Sequence, residues 1–91
     1  MRNYNDPVYK DARRKVLKRD KRTCQMPKCG SKKRLNVHHV QPWSQAANLR
    51  FETYNMITLC RQCHDSINKQ EHHYVSLFME IINKNENNSR H

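Results

Sequence analysis

Two cysteine pairs, Cys24-x4-Cys29 and Cys60-x2-Cys63, constrain this 91-residue chain more than any other feature. Their separation of roughly 30 residues is that of a tetrahedral thiolate zinc site, which typically closes a small fold rather than performing chemistry. The chain needs such a staple. With 35% hydrophobic residues it can bury only a modest core, and domains of this size commonly depend on metals or disulfides. A disulfide framework is the competing use. The N-terminal MRNYNDPVYKD has no apolar stretch of the secretory kind, and no run reaches membrane-spanning length. A reducing cytosol is therefore expected, and there paired cysteines act as metal ligands.

The formal net charge of +10 is one-sided: residues 1–34 hold 13 of the 18 Lys and Arg and 3 of the 8 acids. Four thiolates and one zinc ion lower the net to about +8, still strongly basic. A surplus this concentrated exceeds what solubility requires and points to a polyanion, with nucleic acid first among the candidates.

Punctuation and periodicity organise the rest. Asp6 as N-cap and Pro7 at the first helical position predict a helix to about Arg19, with Val8, Ala12 and Val16 on one face and the basic patch on the others. From Asp20 to Arg34 the composition predicts an irregular knuckle around the first cysteine pair. Leu35 to Val40 reads as a strand ending before Pro42, and Met56 to Leu59 as a second strand leading into the second knuckle. Trp43 to Tyr54 suits a loop with a helical turn, with Trp43, Tyr54 and the earlier Tyr9 as packing residues. A helix broken near Gln70 follows Cys63, then a last helix with a core stripe of Val75, Phe78, Met79 and Ile82. Tyr74, Leu77 and Ile81 widen that stripe enough to call for cover by the N-terminal helix or by a second subunit, so a homodimer is one expected assembly. Residues 85–91 read as frayed, and His72, His73 and His91 as surface histidines.

With the cysteines assigned to zinc, other histidines are left for a second task. Adjacent side chains on a strand point to opposite faces, so His38 and His39 should not chelate one ion together. His64 and Asn68 stand four apart on a predicted helix and share a face. A strand histidine with a helix histidine makes an open site that leaves room for water and a phosphate oxygen.

Val37-His38-His39-Val40, then Asn55, then Leu59-Cys60-x2-Cys63-His64 resembles the HNH nucleases of the ββα-metal type. The intervening Gln41-Pro42-Trp43, Leu49-Arg50-Phe51 and Asn55-Met56-Ile57-Thr58-Leu59-Cys60 are similar to small bacterial and phage members with a zinc knuckle. The resemblance spans about residues 23–70. It implies a small α+β fold: a zinc-stapled, treble-clef-like ββα-metal core over about 35–70, flanked by a basic N-terminal helix and a C-terminal helix, all one domain.

The resemblance also implies roles. His38 binds the catalytic divalent ion, His39 is the general base, and Asn55 orients the loop that carries the base. His64 is the second ligand to the ion and Asn68 a further, weaker one, whose amide oxygen favours magnesium or manganese over softer ions; nickel and zinc complete the set of metals expected. Neutral His39 would take a proton from water that attacks a DNA phosphorus, leaving 5′-phosphate and 3′-hydroxyl ends. Arg13, Arg14 and Lys18 on the basic helix, with Arg50 and Arg61 beside the site in sequence, are the expected contacts to double-stranded DNA. The family setting implies the cytoplasm of a bacterial host, with terminase or other phage or mobile-element proteins as partners and no membrane. The alternative is a non-catalytic treble-clef zinc module that binds DNA or a protein; a subunit working only beside a motor protein is a third reading.

Overall fold

The computed structural model describes residues 7–40 and 52–88. In chain order it forms α1 (Pro7–Arg19), β1 (Leu35–His39), a 3-10 turn (Thr53–Asn55), β2 (Met56–Cys60), α2 (Arg61–Ser66), a second 3-10 turn (Glu71–Tyr74) and α3 (Val75–Asn88). The two strands pair antiparallel, with Leu35 opposite Cys60, Val37 opposite Thr58 and His39 opposite Met56. Among the described residues no helix is long and apolar enough to cross a membrane.

Strand alternation divides the sheet between two helical layers. Val37 and Met56 face α1, packing with Tyr9, Ala12 and Val16. Val40, Ile57 and Leu59 face the opposite way, onto Phe78 and Ile82 of α3, Ile67 and the cysteines. Phe78, Ile57 and Leu59 are fully buried, and each contributes about 2 kcal/mol by leaving water. Truncating Phe78 to Ala would cost about 3–5 kcal/mol, because the void beside the knuckle would collapse only in part.

Helix α1 ends in a buried polar knot. The Arg19 guanidinium donates to Asp20 Oδ1 (2.8 Å), to the Thr53 carbonyl (2.8 Å) and to the Met56 carbonyl (2.7 Å), and reaches Glu86 Oε1 at 3.3 Å. Asp20 accepts from the Thr58 backbone N–H (3.0 Å) and from Asn85 Nδ2 (2.9 Å). Four elements meet at this pair: α1, the 3-10 turn at Thr53, β2 and α3. With Arg19 and Asp20 side chains 4% and 0% exposed, each charge is sustained by the other and by its hydrogen bonds.

Several expectations are corrected. Val8 is exposed and Tyr9 takes its place in the core, since Tyr9, Ala12 and Val16 at spacings of three and four follow the inner face where Val8 has rotated off it. Tyr54 is 44% exposed rather than packed. The chain around Asn85 is held rather than frayed, because Asn85 and Glu86 belong to the knot. α2 begins at Arg61, with Cys60 as N-cap, and ends at Ser66, before Asn68. The basic patch is not confined to the helix: Lys21, Arg22, Lys28, Lys32, Lys33 and Arg34 lie on the knuckle turns. The apolar stripe of α3 is covered by β2 and the knuckle instead of α1. Asp6, Trp43, Arg50 and His91 lie outside the described residues.

Candidate active site

The cysteines converge. The four Sγ atoms of Cys24, Cys29, Cys60 and Cys63 lie within 4.8 Å of one another, and Cys29 Sγ is 3.8 Å from Cys60 Sγ. A disulfide requires about 2.05 Å, whereas sulfurs around a tetrahedral ion with Zn–S of about 2.3 Å stand about 3.8 Å apart. All four are free thiols. The Cys63 backbone N–H, 3.4 Å from Cys60 Sγ, holds the Cys60 thiol down at about 7, while burial pushes Cys24 and Cys63 up. One thiolate is thus available near neutrality, and the buried thiols would release their protons as an ion binds. The arrangement fits a structural zinc ion.

Two further elements place the histidines. β1 carries His38 toward α2 and α3: its ring meets His64 edge-on at 5.2 Å and Phe78 at 5.8 Å between centroids. His39 goes to the other face and stacks on Tyr9 of α1, with centroids 6.0 Å apart and planes within 15°. The doublet is split as alternation requires.

His38 is buried, and its Nε2 is a buried polar atom without a hydrogen-bond partner. Burial, with His64 beside it, holds its pKa down to about 4. A neutral imidazole with an unsatisfied buried nitrogen next to a second imidazole has the chemistry of a metal ligand, and the residues fit a divalent ion. Among the described residues, the cysteines are the group of three or more His, Cys, Asp or Glu drawn together tightly enough to hold an ion. The His38–His64 pair, among the described residues, has no third His, Cys, Asp or Glu drawn in to close a cage around it.

Both histidine faces border one cleft of about 1000 Å³, lined by His38, His39, His64 and Asn68 together with Arg13 and Arg14 of α1. Asn68 reaches it from the turn after α2, where its N–H bonds to the Asp65 carbonyl (3.2 Å), and not from a shared helical face with His64. Asn55 does not line the cleft. It is buried, and its carbonyl accepts the Val40 N–H at 2.8 Å, which ties the end of β1 to the start of β2 one residue from His39. Lys18 lies apart from the cleft, in a small groove with Lys15, Thr53 and Glu86. Arg61 is exposed and pairs with Asp65 at 3.7 Å.

The cleft also contains Lys10, Arg22 and Glu71, which the sequence did not mark, and Tyr9, expected only as a packing residue. Lys10, Arg13, Arg14 and Leu17 stand at i, i+3, i+4 and i+7, so helical periodicity could have gathered them on one face. Nothing comparable marked Glu71, which lines the cleft and whose negative charge opposes the fall in the His38 pKa.

A family model described as HNH endonuclease matches residues 24–70, from the first cysteine to the end of the turn after α2. No curated protein and no solved structure matches the chain.

Proposed function

Because this chain belongs to the HNH endonuclease family, we propose that it hydrolyses DNA phosphodiesters in the cleft between α1 and the histidine pair, with His39 as general base. One observation carries this reading: His38, His64 and His39 share a single cleft with Arg13 and Arg14. An inert zinc module would need only the thiolates and some surface charge.

Arg13 and Arg14, with Lys10 and Arg22, hold the strand through its phosphates and bring the scissile phosphorus to the histidines; these contacts position the backbone and read no sequence. His39 takes a proton from a water molecule, whose oxygen attacks phosphorus while the bond to the 3′ oxygen breaks. The departing 3′ oxygen takes a proton from solvent, so the products are a 5′-phosphate and a 3′-hydroxyl, and His39 returns its proton to water. Tyr9 stacks on the His39 ring and keeps it turned toward the cleft. Asn55 orients the same residue indirectly, through the Val40 hydrogen bond that closes the loop behind it. His38 and His64 would hold a divalent ion, with Asn68 as a weaker oxygen ligand; when bound, that ion supplies the positive charge that offsets the growing negative charge on the phosphate. Magnesium or manganese suits this mixed nitrogen and oxygen set, with nickel and zinc as the softer alternatives. The thiolate site holds zinc and orders both knuckles around β2.

Incubating zinc-loaded protein with supercoiled plasmid tests this reading. Nicking is expected on addition of Mg²⁺ or Mn²⁺ and not before; binding without any cleavage across those ions would leave the zinc-module reading in its place.

A further inference from the structure

Among the described residues, every non-glycine residue with a left-handed backbone is a lysine or an arginine: Lys21 (φ 58), Arg22 (φ 50), Lys28 (φ 70), Arg34 (φ 52) and Lys69 (φ 70). All five are exposed. This region is crowded for any side chain with a Cβ, and it selects Gly, or Asn and Asp whose short side chains bond locally. Lys and Arg have neither advantage. Gly30, in the same knuckle at φ +67, meets the same backbone demand with the residue suited to it. At five positions, then, a long cation stands where glycine would be more stable, and backbone strain of this kind concentrates where function retains it.

The placement of these cations is as informative as their conformation. Lys32 Nζ donates to Thr23 Oγ1 (2.8 Å), which clips the turn of residues 21–23 to that of 31–33. Lys21 and Arg22 are thereby brought beside the exposed Lys32, Lys33 and Arg34. Arg22 also lines the cleft, as does Asn36, whose Nδ2 sits 3.5 Å from the Arg34 carbonyl. The positive surface therefore starts among the histidines and continues over the first zinc knuckle.

We propose that this knuckle surface is a second phosphate-contact surface, along which duplex DNA continues after leaving the cleft. The proposal rests on the reading of the protein as a DNA-cleaving enzyme. Its occupant is the regularly spaced phosphates of a duplex, because beyond Arg22 the surface is an array of separate, exposed cations on turns rather than a pocket. The strain is kept because the left-handed backbone projects each cation outward from a turn, where a stabler glycine would carry no charge.

Two readouts with opposite signs test it. Zinc-loaded wild type, Lys21→Gly, Lys28→Gly and Arg34→Gly are compared without divalent ion, by thermal melting and by binding to a fluorescent random-sequence duplex over a salt series. Each glycine should raise Tm by roughly 2–5 °C, since it relieves the backbone. Each should also weaken DNA binding several-fold and make the slope of log K against log salt shallower by about 0.9, the value of one phosphate contact. Lys33→Gln, where φ is not left-handed, should weaken binding with Tm unchanged. A higher Tm with unaltered affinity would overturn the proposal. So would a lower Tm, which would mean that the cations serve to offset the thiolate charge. A wild type that nicks plasmid while the knuckle variants bind normally defeats this inference alone; a wild type that neither binds nor nicks defeats it together with the nuclease reading.

Discussion

The rings of His38 and His64 meet edge to face, 5.2 Å between centroids, although one comes from strand β1 and the other from helix α2, which begins only at Arg61. What joins them is the thiolate cluster. Cys60 ends β2 and caps α2, so an ion held by the four sulfurs would also set the angle at which His64 approaches His38. The thiolate cluster and the candidate catalytic pair are one mechanical unit.

Loss of the thiolate site should therefore remove the fold and not merely the activity. Cys60→Ser is expected to yield protein that is unfolded or insoluble, because a structural zinc supplies folding free energy that a core of this size lacks. Elemental analysis of the wild type should find one tightly held zinc per chain. Metal-free protein that stays folded in chelator would refute the assignment.

The two members of the histidine doublet should fail in different ways. His39→Ala should slow plasmid nicking by roughly 10²-fold or more while zinc content and divalent-ion affinity stay near wild type. His38→Ala and His64→Ala should lose ion affinity along with rate, with partial rescue by excess manganese. His38→Ala should also melt earlier than His64→Ala, since His38 is buried against Phe78. Titration calorimetry beside a nicking time course reads all of this; if His39→Ala loses the ion and His38→Ala keeps it, the roles are reversed.

Position around α1 predicts unequal effects of charge reversal. Arg13→Glu and Arg14→Glu face the cleft and should weaken binding to unrelated DNA sequences and flatten its salt dependence. Lys18→Glu lies in the other groove and should have a much smaller effect. Equal losses at all three positions would argue against the cleft as the DNA path.

The depressed pKa of His38 makes a signed prediction about stability. The unfolded chain titrates this residue near 6.5 and the folded one at about 4. Between those values the unfolded state binds more protons, so stability contributed by neutral His38 is complete above about 6.5 and falls away as pH drops toward 4. In zinc-loaded protein without divalent ion, His38→Gln should lose less Tm than wild type between pH 6.5 and 4.5. Parallel pH profiles would rule out His38 as the titrating group.

Much of this was legible one residue at a time. Pro7 announced α1, the run from Leu35 and the run from Met56 announced the strands, and strand alternation alone separated His38 from His39. These are local rules: a backbone preference or a period of two acts within a few residues and leaves its trace in the order of the letters. The cysteine spacing belongs with them, because a thiolate site demands particular residues and little else.

Tertiary structure decided the rest. Arg19 and Asp20 read as two more charges in a basic arm, and only burial among Thr53, Met56, Thr58, Asn85 and Glu86 turned them into the knot that binds α1 to β2 and α3. Which basic residues share a cleft with the histidines, and that Glu71 joins them, also depended on how α1 packs across the sheet. Asn68 kept its place beside His64 by a turn rather than by the helix that spacing suggested. Sequence specified the chemistry available, since ligand and base types are properties of single residues. Which of those groups meet was settled by packing between elements far apart in the chain, where no local period carries the information.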